Sequence, residues 1–172
     1  MDNEFATAVG EWQNFQALAG ASAATLLGLL FVSASLHPQL FFKNAHPELL
    51  SIGEKSLGLL MLVIIISLVF LIPHVTPTGM ALTLGSAAIL ALYSSWQQVI
   101  ILQQLVREWG WRFVVRRILL PVVGYVLLLG ISISVYDGET HWLHWLGAIQ
   151  ITFLFTATLN AWDLLAHVGR SE

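Results

Sequence analysis

Residues 56–72 read SLGLLMLVIIISLVFLI, an apolar run bounded by Lys55 before it and Pro73 after it. Ser67 is the only polar residue between Leu57 and Ile72. Seventeen helical residues at about 1.5 Å each reach roughly 25 Å, near the lower limit for crossing the hydrocarbon core of a bilayer. The run has no wet face, so lipid or protein must surround it on every side. Working outward, four more apolar segments of spanning length follow the same logic: about 14–36, 79–105, 118–136 and 142–166. The expected fold is all-α, a polytopic bundle of five transmembrane helices forming one domain.

Composition agrees. The 172 residues are 57% hydrophobic and 10% charged, with no cysteine, and mean hydropathy is +0.78. Soluble domains carry about 25% charged residues, so lipid is the expected solvent for much of this surface. The net charge of −3 hides a segregation. All seven basic residues, Lys43, Lys55, Arg107, Arg112, Arg116, Arg117 and Arg170, fall in the loop after segment one, the loop after segment three, or the C-terminal tail. Asp2, Glu4, Glu11, Asp137 and Glu139 fall on the opposite side. Positive residues stay in the cytoplasm, so the N-terminus is expected outside and the C-terminus inside. Aromatic residues mark the same boundaries. Trp12, Phe15, Tyr136, Trp142 and Trp145 belong to the outer one, and Phe41, Phe42, Trp109, Trp111, Phe113 and Trp162 to the inner one, because an amphipathic ring prefers the interface. The acidic first eleven residues do not read as a cleavable signal. The links 73–78 and 137–141 are short enough to impose antiparallel neighbours. Pro47-Glu48 reads as a helix start, which places the beginning of the second helix before its apolar run.

Segment one is rich in small residues: Gly20, Ala24 and Gly28 repeat every four, as do Ala17, Ala21 and Thr25. Segment three carries Ala81 and Gly85, followed by Ala87, Ala91 and Ser95. Such rows let helix backbones approach closely in lipid. They predict that segments one and three are buried and that the Leu/Ile/Val-rich segment two faces lipid. Pro121, three residues before Gly124, is expected to kink or loosen segment four near its cytoplasmic boundary.

Segment five is the most polar. Thr152, Thr156, Asn160, Asp163 and His167 recur at spacings of four, four, three and four, which puts them on one helical stripe. Interhelical hydrogen bonding, the lining of a pore, and a ligand pocket are three readings of that stripe. Asp163 is the only acid within a span and by position a functional candidate; pairing with a cytoplasmic arginine is its structural alternative.

His74, His141 and His144, with Asp137 and Glu139 nearby in sequence, form a weak candidate for zinc or copper on the outer side. Haem ligation would need His pairs deep in facing helices, and no cofactor is expected. There is no G-x-S-x-G elbow and no Cys nucleophile. Neither phosphate-binding glycine loop is present, so nucleotide is not an expected partner. The Arg112, Arg116 and Arg117 cluster, set among Trp109, Trp111 and Phe113, reads as a contact for lipid headgroups rather than nucleic acid.

The stretch NFQALAGASAATLLGLLFVSASL (14–36) resembles the first span of a family of small bacterial integral membrane proteins whose pattern is roughly F-x-x-x-A-G-A-x-A-A-L-x-G-L-L-F-V-x-x-S. Phe15, Ala19, Gly20, Ala21, Ala23, Ala24, Gly28, Leu29, Leu30, Phe31, Val32 and Ser35 carry the match. The likeness covers about the first 75 residues. It implies a protein of the bacterial cytoplasmic (inner) membrane and lends no catalytic residues. The functional expectation is therefore a non-enzymatic homo-oligomer forming an ion or small-solute pore lined by segment five. An accessory or scaffold subunit of a larger membrane complex is the alternative, and an outer-face metal sensor is a third reading.

Overall fold

The computed structural model describes residues 2–36, 47–100 and 118–168, with side chains placed over 4–36, 53–96 and 118–163. The described residues form five helices: α1 (Asp2–Leu36), α2 (Pro47–Leu71), α3 (Pro77–Ile100), α4 (Leu120–Tyr136) and α5 (Leu143–Val168). Three of them are long and apolar enough to cross a membrane, over Glu4–Leu36, Gly53–Leu71 and Pro77–Trp96. Helix α4 is a shorter apolar helix.

Local chemistry explains where the helices begin and end. Helix α2 starts at Pro47, as the Pro-Glu pair predicts. Helix α3 starts at Pro77, where the missing N–H costs nothing and φ is already helical. Thr76 caps it: its hydroxyl oxygen accepts from the Gly79 N–H at 3.1 Å, and its carbonyl from the Met80 N–H at 2.9 Å. At the end of α4, Gly138 takes φ 87°. The Glu139 N–H reaches the Ser134 carbonyl at 2.9 Å and the Gly138 N–H the Val135 carbonyl at 3.1 Å. This is the two-bond glycine stop of a Schellman motif. Pro121 is the second residue of α4, preceded by a π-helical turn at 118–119, so the irregularity lies at the entry to the helix, the end where the sequence puts it.

Helix α1 begins twelve residues before the expected span, at Asp2. Phe5 and Val9, one turn apart, are buried in the main apolar cluster, so the extra turns have something to pack on. Asp2 and Glu4 also suit a helix N-terminus.

Helices α2, α3, α4 and α5 close a four-membered ring in which α2 touches α3 and α5, and α4 touches α3 and α5. Helix α1 lies outside, in the groove between α2 and α5. Contacts such as Ser132–Ala81, Gln150–Ser67 and Gln16–Ser67 set the directions. Helices α1, α3 and α5 run one way, and α2 and α4 the other. The core is filled by Val63, Ile66, Phe70, Met80, Leu84, Leu128, Leu146 and Phe153, each fully buried.

Two expectations about faces are overturned. Helix α2 is not lipid-facing but central, with half of its apolar window buried, whereas the corresponding share for α1 is 11%. Helix α1, expected to be buried, is peripheral. Its small residues divide accordingly. Gly20 packs against Ser67, whose Cβ would lie 2.9 Å from a Cβ at that position. Ala24 and Gly28 are exposed, as are Ala17, Ala21 and Thr25. Helix α3 behaves as expected: Ala81 and Gly85 are buried where α4 crosses, and Ser132 donates to the Ala81 carbonyl at 2.7 Å.

Candidate functional site

The polar stripe of α5 does not share one environment. Thr152 is half-buried, and its hydroxyl bonds back to the Ala148 carbonyl of its own helix at 2.8 Å. Thr156 and Asn160 are fully buried inside the bundle. Asp163 is half-buried and partnered. His167 lies on α5, but its side chain is outside the described residues, as are Arg112, Arg116 and Arg117. Only the middle of the stripe, Thr156 and Asn160, is turned into the bundle.

A three-helix polar contact lies two residues earlier in α5 and does not include the stripe. Gln16 of α1, Ser67 of α2 and Gln150 of α5 meet at a three-helix junction, all three buried. The Gln150 amide donates to Gln16 Oε1 at 2.7 Å and lies 3.3 Å from Ser67 Oγ, which in turn donates to Gln16 Oε1 at 3.3 Å. Gln150 is seven residues into α5, so the knot lies about 10 Å inside that end of the bundle. Beside it, Trp12 and Phe15 seat against Gly147, where a Cβ would come within 3.1 Å of the Trp12 ring. The sequence reading missed Gln16 and Gln150. Two isolated amides in apolar stretches were the available signal, since a buried amide in lipid must find a partner on a neighbouring helix.

Deeper along α5, Asn160 is 1% exposed, and neither its amide nitrogen nor its oxygen has a hydrogen-bond partner among protein atoms. On the ring's far side Tyr125 hydrogen-bonds with Ser95, and its ring lies 5.4 Å from that of Phe153.

The outward face of α1 carries a second arrangement. Gly10, Asn14, Ala17, Ala21, Ala24 and Gly28 alternate spacings of four and three, and all are exposed. Nothing lies within 4 Å of a Cβ built on Gly10 or Gly28. This is the seam geometry of a helix pair, made of residues small enough for close backbone approach.

The expected outer metal site is not assembled. Among the described residues no three His, Asp or Glu side chains group closely enough to hold a metal ion. His74 sits on the α2–α3 turn at φ 54°. His141 precedes α5 and His144 lies within it, so the two are not a helical pair. His141 Nδ1 is held 2.7 Å from Glu139 Oε2, and the two imidazoles pack on Trp142 and Trp145 respectively.

Comparison of the chain with protein-family models, with characterised proteins and with solved structures returned no match. The arrangement of its own residues is what a functional reading rests on.

Proposed function

We propose that this chain is a non-enzymatic membrane protein of five spans that works by assembling with further copies of itself. The observation that carries the reading is the outward face of α1: six small or polar residues at seam spacing, exposed in the protomer. Lipid covers any apolar helix, but a row of Gly and Ala forgoes side-chain contact with lipid and gains only when another backbone comes close. Copies inserted in the same orientation are parallel, so a two-fold axis beside α1 sets each residue against its own copy. Asn14 then meets Asn14. An amide both donates and accepts, and a polar residue at one seam position fixes register. The segregated cations support an outside N-terminus and a cytoplasmic C-terminus. The likeness of span one to small bacterial membrane proteins supports the inner membrane of a bacterium. A scaffold subunit would use the same face against a different helix.

The chain has no cysteine, which makes the test direct. Single substitutions Ala17→Cys, Ala21→Cys, Ala24→Cys and Gly28→Cys should cross-link copies on oxidation in membranes, while Leu18→Cys and Ser22→Cys, off the seam, should cross-link much less. Ala21→Ile should reduce the oligomer without lowering thermal stability. Equal cross-linking at every position, or none, removes the proposal.

Conduction is a second reading, favoured by one observation: the unpartnered amide of Asn160 inside the ring. A pathway would then run through each protomer past Thr156 and Asn160, not along an axis between protomers. Reconstituted protein would pass current, and Asn160→Leu would change its conductance. Silent bilayers containing inserted wild-type protein would end this reading.

A further inference from the structure

Each helix of the ring brings one polar residue to the same height, at the end away from the Gln16–Gln150 bond. Lys55 comes from α2, Ser95 from α3, Tyr125 from α4 and Asn160 from α5. Three contacts set the heights. Asn160 is ten residues beyond Gln150, which meets Ser67, so it stands opposite Leu57 in antiparallel α2. It is seven beyond Phe153, which meets Gly124, so it stands close to Ile118, just before α4. Ser95 is fourteen beyond Ala81, which meets Ser132, and it too stands opposite Ile118. Helical side chains lean toward the N-terminus of their own helix. Tyr125 therefore reaches this height, where it hydrogen-bonds with Ser95.

We propose that this layer binds internal water, one molecule between Lys55, Ser95 and Tyr125 and another on the Asn160 amide. Two independent observations carry the proposal. Lys55, Ser95 and Tyr125 line a recess of about 20 Å³ whose other walls are apolar, among them Leu59 and Pro121. One water needs roughly 10–15 Å³ measured this way, and two to four polar partners. The recess supplies both. Lys55 already has a partner, and an ammonium can donate three times. The Asn160 amide, 1% exposed, bonds to no protein atom through either its nitrogen or its oxygen. At the Gln16–Gln150 junction, Gln16 Nε2 and Gln150 Oε1 also lack partners, but each of those amides bonds through its other atom. Burying an amide with neither its donors nor its acceptor met is costly, and water, which both donates and accepts, meets both.

Charge argues against an ion. The described side chains at this end carry Lys55, the exposed Glu54 and the half-buried, partnered Asp163. The ammonium on the wall of the recess opposes a cation, and two carboxylates at the same end do not favour an anion. Further into the ring Val63, Ile66, Leu128 and Phe153 are buried and apolar, so the water is confined to this end. The proposal rests on the ring and not on conduction, since a protomer that passes no current can still hold it.

The test uses the full chain in nanodiscs. Radiolytic hydroxyl footprinting modifies side chains that touch water, whether bulk or bound. Tyr125 is 7% exposed and packs on the fully buried Phe153. Tyr125 should be modified many-fold faster than Phe153. Ser95→Val, which removes a partner and fills the recess, should slow that modification several-fold. A second measurement on the wild type needs no variant to fold. In water-edited solid-state NMR, the Asn160 side-chain amide should gain magnetisation from water several-fold faster than the backbone amides of Val63 and Leu128. Modification of Tyr125 no faster than that of Phe153, an unchanged rate in folded Ser95→Val, or an Asn160 amide as slow as Val63 overturns the proposal. Silent bilayers would end the conduction reading and leave each of these readouts as expected.

Discussion

At the residue scale, the turns and the glycine contacts decide most. His74 holds φ 54°, a left-handed conformation that costs an ordinary L-residue about 1 kcal/mol or more. With no metal-binding group around it among the described residues, His74→Gly should raise thermal stability by up to about 1 kcal/mol, read as a higher Tm in detergent; a fall in Tm would mean the imidazole makes a contact that matters. Thr76→Ala removes the cap on the Gly79 N–H and should cost about 1 kcal/mol in the same measurement. Gly124 is the more severe case. A Cβ there runs into the ring of Phe153, which is fully buried and cannot retreat. Gly124→Ala should therefore destabilise by about 1–3 kcal/mol, although alanine is the better helix former. Gly28→Ala, with open space around it, should leave the isolated protomer as stable or make it slightly more so.

Among the elements, some were legible in the sequence and others were not, for a physical reason. Helix starts at Pro47 and Pro77 and the stop at Gly138 follow from backbone chemistry that a few residues settle locally. Which helix is central does not. In water, burial follows apolarity, so an all-apolar helix is an inner helix; in lipid, the outer face is apolar as well, and composition loses that information. Helix α2 reads as lipid-facing for this reason, yet it touches three neighbours. Small residues are likewise ambiguous. Gly20 meets a helix of its own chain, whereas Gly28 on the same row meets none. The polar stripe of α5 was visible as a periodicity, but the junction at Gln150 was not, because its partner Gln16 lies in α1, 134 residues away in sequence. Gln150→Leu tests that junction. It leaves Gln16 and Ser67 with a single bond between them and should lower stability by about 1–2 kcal/mol. Its distinctive effect should be faster hydrogen exchange or cysteine labelling along α1, with α3 and α4 unchanged. Uniform loosening of all five helices would show that the knot braces the whole bundle, not α1.

For the whole molecule, the arrangement of a ring with one appended helix makes α1 separable in principle. Helices α2 to α5 alternate direction and close on themselves without it. Lys55, Arg107, Arg112, Arg116, Arg117 and Arg170 all belong to 45–172, so on the proposed orientation most of the charge bias would persist without the first span. The chain should therefore tolerate being made as two pieces, 1–44 and 45–172. On the proposed topology the longer piece should insert with both ends in the cytoplasm. The shorter piece should insert once and find the groove between α2 and α5, because Gln16 bonds to Ser67 and Gln150 there and Gly20 packs on Ser67. Co-purification of the longer piece through a tag on the shorter one measures this. Gln16→Leu in the short piece should reduce recovery several-fold, since an interhelical polar contact contributes roughly 0.6–1.7 kcal/mol and the junction contains more than one. Ala21→Ile in the same piece should leave recovery intact, since that residue faces away. If the substitution at Ala21 abolished recovery and that at Gln16 did not, the inner and outer faces of α1 would be reversed, and with them the surface assigned to assembly.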